Sequence, residues 1–252
     1  MSYLCALKYE NMQMNRLFLI FGLLCAFCMG ASAQFTEADK ELMDAYLENN
    51  MPKWKSFIDA VPWNTATKQA KLRSLAYEYG YCAAMLDVNK KQAAPYVERF
   101  HKHVEEMKPH LGAGYYDMYL SSVYAFEIML GKSAHFISTL KLANSAAEKQ
   151  PDNPITLGYR ANVLFYAPRG IGNKKEALRI FEKAEKLYRA PQWKYCWNRP
   201  ATLLTIAQCY EKQGDLDTAI RKAQALLQEF PNYKYVKNTY LPQLKAKKAK
   251  KK

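Results

Sequence analysis

The chain is short of glycine, with 10 among 252 residues, and no stretch reads as an interdomain linker. It also lacks any alternating apolar and polar run that would make a credible strand. Half of the residues are apolar and 24% are charged, which excludes disorder as the default state. A chain of this length builds one sizeable domain or two small ones.

Motifs for chemistry are scarce as well. There is no His-Glu-x-x-His, no Gly-x-Ser-x-Gly, and no Cys-x-x-Cys beyond the first 33 residues. Gly131-Lys132-Ser133 has the ending of a phosphate loop, but Phe126 stands where that loop needs glycine, and a helix precedes it instead of a strand. Gly170-Ile171-Gly172 reads as a lengthened turn that uses glycine for positive φ, not as an anion cradle. Among the 4 histidines, His101 and His103 sit two apart and point to different sides of a helix. His101 with Glu105, at i and i+4, has metal-ligand spacing, yet a solvated surface pair is the plainer reading. No cofactor or metal is expected, and the chain is read as non-catalytic.

The six cysteines do not make a disulfide scaffold. Cys5, Cys25 and Cys28 lie in an N-terminal segment with the marks of an export signal, leaving Cys82, Cys196 and Cys209. Three is odd, and Cys82 and Cys209 fall on apolar helix faces as small hydrophobes. A Cys196–Cys209 bridge requires the chain to turn between them.

That segment follows Arg16 with the apolar run Leu17–Met29 and then Gly30-Ala31-Ser32-Ala33, where Ala31-x-Ala33 suits a signal peptidase. The run is shorter than the ~20 residues that cross a bilayer. Residues 1–33 are therefore read as a signal peptide cleaved after Ala33, with translation starting at Met12 or Met14 as an alternative to Met1. Residues preceding Cys25 and Cys28 are too large for lipoprotein processing. The mature protein is expected in the periplasm, or alternatively secreted.

The formal charge is +14, and six lysines crowd the last eight residues, from Lys245 to Lys252. This tail, 245–252, reads as a frayed, solubilising end with weak contact to an anionic surface as its functional alternative. Nucleic acid is not an expected partner of an exported chain.

Prolines 109, 151, 191 and 231 recur at intervals of 42, 40 and 40, each closing an apolar-periodic stretch. Such periods mean stacked helical units, none of which buries its apolar face alone. In the last unit Leu203, Ile206, Ala207 and Tyr210 form one stripe. Gly214-Asp215 breaks the helix, and Leu216, Ala219, Ile220, Ala223, Leu226, Leu227 and Phe230 form the next stripe. A preceding pair runs from Pro154 to Tyr166 and then through Ala177–Tyr188. Another joins Tyr115–Leu130 to a helix carrying Leu140, Ala143, Ala146 and Ala147. Upstream, the stripe Leu72–Leu86 pairs with one carrying Tyr96 to Met107, after a start at Thr36–Asp39 and a short helix around Trp54–Val61.

The stretch from Pro200 to Tyr233 resembles a tetratricopeptide repeat, with Tyr210, Gly214, Ala219 and Pro231 on the family's positions. Leu203 stands for its tryptophan, and Ile206-Ala207 for its Leu-Gly. Ala223 and Leu226 depart from the pattern. The resemblance implies an all-α, right-handed superhelix of antiparallel hairpins over residues 34–244. The mature chain also resembles exported repeat proteins of Bacteroidetes-type bacteria, through Asn50-Met51…Trp54, Phe165…Ala177, Leu203…Lys212 and Tyr233…Leu244. That resemblance implies no established activity.

In stacked repeats the first helix of each hairpin lines a concave groove. The register places Tyr124 and Ile128, then Tyr159, Asn162 and Tyr166, then Gln208, Glu211 and Lys212 on that face. Tyrosine, 19 times present, suits recognition because its body is apolar and its tip polar. Tyr159 and Tyr166 have an alternative as packing between hairpins. The expected function is docking of a protein or peptide partner in cell-envelope assembly. A small-ligand carrier is the alternative, and a hydrolase using His101 and Glu105 is the remote one.

Overall fold

Helix starts along the chain are written by short polar side chains. Asn50, Thr67, Asn89, Asn153, Asn173 and Asp215 each accept a backbone N–H two or three residues on, at 2.9–3.2 Å. Such caps satisfy donors that the first turn leaves unpaired. The computed structural model describes residues 37–131, 135–168 and 170–250. The expected signal segment 1–33 lies outside these residues, as do Lys132, Ser133, Lys251 and Lys252.

Eleven α-helices and no strand appear among the described residues. They are α1 (Glu37–Leu47), α2 (Met51–Asp59), α3 (Lys68–Val88), α4 (Lys90–Met107), α5 (Tyr115–Met129) and α6 (Phe136–Lys149). After them come α7 (Pro154–Tyr166), α8 (Lys174–Tyr188), α9 (Asn198–Lys212), α10 (Leu216–Glu229) and α11 (Leu241–Ala249). Helices α3/α4, α5/α6, α7/α8 and α9/α10 pair as hairpins, and each hairpin packs on the next. A second set of contacts joins α3 to α5, α5 to α7 and α7 to α9, so the first helices of successive hairpins form one layer. This is the stacked all-α architecture expected of a tetratricopeptide-like solenoid.

Small residues set the spacing. Ala143 and Ala146, Ala177 and Ala184, and Ala219 and Ala223 are wholly buried, letting the axes approach to the ~8–10 Å of packed helices. Gly214, at φ +88°, turns α9 into α10, and Asp215 caps the start of α10.

Gly80 has a different reason. It lies in mid-helix, where glycine costs about 1 kcal/mol against alanine. A Cβ there would stand 2.4 Å from Trp54 Cζ2 and 2.7 Å from Trp197 Cζ2. Both rings are buried and have no open side to retreat into. Overpacking costs about 1–3 kcal/mol and exceeds the propensity gain when two rigid rings must move. Gly80→Ala is therefore expected to lower the melting temperature, although alanine is the better helix former.

The lysine-rich segment is helical as far as Ala249. Val236, Tyr240 and Leu244 are buried, the helix runs through Ala249, and a five-residue π-helical turn, Val236–Tyr240, precedes it. Lys247 pairs with Glu211 at 2.9 Å, and Lys248 pairs with Asp217. The boundary expected at residue 244 falls inside this helix.

Cys82, Cys196 and Cys209 are all buried and free, so Cys196 and Cys209 do not pair. Burial raises all three thiols, that of Cys209 to about 12. The thiolate is the reactive form. These thiols are expected to resist an aromatic disulfide reagent in native buffer at pH 8 and to react in denaturant. Rapid native labelling of Cys196 would contradict its placement.

Candidate functional site

Aromatic rings from distant parts of the chain meet on the inner face of the layer. Tyr79 of α3 lies 6.5 Å from Tyr119, 5.9 Å from Phe126, 6.2 Å from Tyr159 and 5.9 Å from Trp197. Trp197 also meets Trp54 at 5.2 Å and Tyr46 at 5.5 Å. Tyr46 in turn meets Tyr233, the two hydroxyls 2.5 Å apart. Tilted and edge-on pairs at these spacings add about 0.5–1.5 kcal/mol each beyond their buried area. The first two helices are thereby tied to the last repeat.

This hub changes the expected groove. Tyr159, expected to face it, is 6% exposed and donates its hydroxyl proton to Ser121 Oγ at 3.0 Å. The packing alternative describes this residue, because its inward ring has Tyr79 as a neighbour. Tyr124 is half-buried, stacked on His135 at 4.4 Å. Ile128 and Asn162 are half-buried. These four stand apart from the other candidates.

Tyr166, Gln208, Glu211 and Lys212, by contrast, come together. They line a cleft of about 280 Å³ at the C-terminal ends of α7 and α9, with Phe165 beside them. The opposite side comes from Tyr235, Tyr240, Gln243 and Leu244. Tyr166 is 69% exposed and Tyr235 40%. Even so, burial by the surrounding protein pushes both hydroxyls above their ordinary range. Accessible surface combined with a protein-rich surround is the signature of a concave site. Tyr235 and Tyr240 stack with centroids 6.3 Å apart. Lys247 Nζ donates to Glu211 Oε1 at 2.9 Å and holds that carboxylate in the floor of the cleft.

Sequence reasoning missed the C-terminal wall because the repeat register assigned groove positions only to the first helices of the hairpins, and these residues follow the last hairpin. The signal was present: Val236, Tyr240 and Leu244 repeat at i, i+4 and i+8. The π turn could not be read from that pattern, and such turns concentrate at functional sites.

The histidine reading also changes. His101 does not join Glu105; its Nδ1 lies 3.5 Å from Glu127, whose other oxygen lies 3.4 Å from His135 Nε2. Glu105 instead accepts the Tyr116 hydroxyl at 2.9 Å. His103 faces inward, 2.9 Å from Glu78 and stacked on Trp63 at 3.5 Å. Among the described residues no three His, Cys, Asp or Glu side chains are arranged to hold a metal ion.

Residues 201–233 match the family model of the tetratricopeptide repeat. The match falls on α9, its glycine turn, α10 and the residues after it. No curated protein matches the chain. The wider resemblance to exported Bacteroidetes-type proteins gains no support from these matches.

Proposed function

We propose that this protein is a non-catalytic binding protein of the periplasm that docks a segment of a protein partner in the cleft between α7, α9 and the C-terminal wall. The carrying observation is the convergence there of Tyr166, Gln208, Glu211 and Lys212 with exposed Tyr235. Tyrosine offers rigid contact area at low entropic cost, and the glutamines and charges fix register. Tetratricopeptide repeats generally mediate protein–protein contact, and a role in cell-envelope assembly follows from export and binding together. The expected signal peptide supports the compartment.

The volume favours a limited engagement. About 280 Å³ is just under the 300–1,000 Å³ of small-molecule pockets, so the cleft seats one anchoring side chain and not a whole helix. The same volume supports a second reading, a carrier of one small metabolite.

Photo-crosslinking in the living envelope separates these. A photoreactive amino acid at Gln208 or Lys212 is expected to give a discrete protein adduct, and one at exposed Gln224 on α10 none. Adducts from position 224 alone would contradict the cleft as the docking place.

A further inference from the structure

Among the described residues the exposed large apolar side chains are Val88, Met129, Ile137, Tyr166, Ile171 and Tyr235. All but Tyr235 sit where a hairpin turns. Val88 ends α3, Met129 ends α5, Ile137 lies in the first turn of α6, Tyr166 ends α7, and Ile171 lies between α7 and α8. The hairpins bring these turns to one edge of the stack. Asn153 Nδ2 donates to Tyr115 Oη at 2.7 Å and Tyr159 Oη to Ser121 Oγ at 3.0 Å, the same 38-residue offset, so α5 and α7 lie parallel and level. Helix α4 runs against α5, with His101 beside Glu127 and Glu105 beside Tyr116. The opposite edge, where α4, α6, α8 and α10 finish, shows none of these side chains. Val88 is 72% exposed and Ile137 68%, and β-branched residues are weak helix formers. Ile171 is presented by a closed turn, since the Gly172 N–H reaches Pro168 O at 2.9 Å and the Asn173 N–H reaches Leu164 O at 3.2 Å. The fold gains nothing from these exposed side chains.

The same edge is basic. Lys90 and Lys91 open α4, Lys174 and Lys175 open α8, and Lys212 ends α9. All five are exposed, and none forms an ion pair with a described residue. A lysine in the first turn of a helix opposes the helix dipole, so the first four do not serve the fold. Lys247 on Glu211 and Lys248 on Asp217 hold the end of α11 at this edge, and exposed Lys250 follows. Against these cations stand two exposed carboxylates without an ion pair, Asp87 and the capping Asp215. We infer that this edge rests on an anionic phospholipid bilayer, with the apolar side chains of the turns entering the headgroup layer and the lysines lying on lipid phosphates. The apolar side chains are single points on separate turns, spaced by the ~8–10 Å between packed helices and interrupted by lysines. A protein partner seals one continuous apolar patch, whereas a fluid interface takes separated insertions. A second copy of the chain would set lysine against lysine. No helix among the described residues is long and apolar enough to cross a membrane, so the contact is with the bilayer surface. It does not depend on what the cleft docks.

The test places a polarity-sensitive fluorescent amino acid at Ile137, at Ile171, or at exposed Asp152 of the opposite edge, in the full chain. Vesicles of phosphatidylglycerol and phosphatidylcholine in equal parts are then added. Emission from 137 and 171 is expected to shift to the blue, and emission from 152 to stay. Vesicles of phosphatidylcholine alone are expected to shift none of the three. That separates this contact from insertion of the apolar run Leu17–Met29, which needs no anionic lipid. Replacing Lys90, Lys91, Lys174 and Lys175 by glutamine is expected to raise the lipid required for half the shift at least about tenfold, and added salt acts in the same direction. Val88→Ser with Ile171→Ser, read from position 137, is expected to raise it as well. The replaced side chains are exposed, so neither variant should melt below the parent. No shift on anionic vesicles, an equal shift on phosphatidylcholine alone, or an equal shift at 152 would overturn the membrane contact. Binding of soluble polyglutamate with no shift on vesicles would assign the edge to an acidic protein. Lipid-free dimers dissociated by the serine variant would assign it to a second copy. Either result also overturns the membrane contact.

Discussion

Trp197→Ala is expected to destabilise the protein by about 3–5 kcal/mol, the range for a large buried aromatic cut back to a methyl. Trp197 is 6% exposed and packs on Trp54, Tyr46 and Tyr79. Its indole N–H has no hydrogen-bond partner among the described residues, so the loss is one of packing and not of a polar contact. Collapse into the space is limited, since Gly80 backs the same ring on a helix. The ring joins segments far apart in the chain, which gives the variant a second signature. Amide exchange should accelerate in α1 and α2 as much as in α9, because Tyr46 and Trp54 lose their common neighbour. Chemical unfolding followed by circular dichroism reads the first effect and hydrogen exchange the second. A loss under 1 kcal/mol, with α1 and α2 still protected, would remove the hub as the tie between chain ends.

Glu78→Ala is the second large effect, again about 3–5 kcal/mol. Glu78 is 2% exposed; His103 Nδ1 stands 3.0 and 2.9 Å from its two oxygens, and Arg99 Nε stands 3.2 Å from one of them. An ionised carboxylate only accepts, so the proton of the His103 ring sits on Nδ1. Trp63 covers that ring face to face, 3.5 Å away and 5° from parallel. Removing the carboxylate leaves the buried His103 imidazole beside a hole with no partner for its Nδ1, while the half-buried Arg99 keeps Asp59 at 3.0 Å. A buried pair broken on one side costs far more than the intact pair contributes. Glu78→Gln keeps the shape and one acceptor oxygen, and is expected to cost roughly half as much. If Glu78→Ala and Glu78→Gln unfold at the same denaturant concentration as the parent, the pair is not structural.

The parts of the fold legible in the sequence are those governed by local rules. Pro154 and Tyr166, the ends expected for one helix, are its ends in the structure. The stripe through Leu203, Ile206, Ala207 and Tyr210 falls on a helix, and Gly214 turns the chain as expected. Periodicity and capping need only a few neighbouring residues to be read. The features that stayed hidden are long-range. Tyr46 and Tyr233 are 187 residues apart in sequence yet share a hydrogen bond, and no repeat pattern points from one to the other. The same blindness put Tyr159 in a groove, because helical register says which face a residue takes and not what lies against it. His101 found Glu127 on another helix in place of Glu105 on its own. Within the cleft, α7 and α9 contributed residues that the register had placed together. Tyr235, Tyr240 and Gln243 were missed because the register gave the groove only to first helices of hairpins, and these residues come after the last hairpin.

Nitration of tyrosines in the native protein, mapped by peptide mass, bears most directly on the picture of an inner face filled by rings with an accessible cleft at the ends of α7 and α9. Tyr166 and Tyr235 should be modified first, with Tyr119 and Tyr159 untouched until the protein unfolds. Modification of Tyr159 or Tyr119 at the rate of Tyr166 would mean an open trough runs along the inner helices, and the closed hub would be wrong.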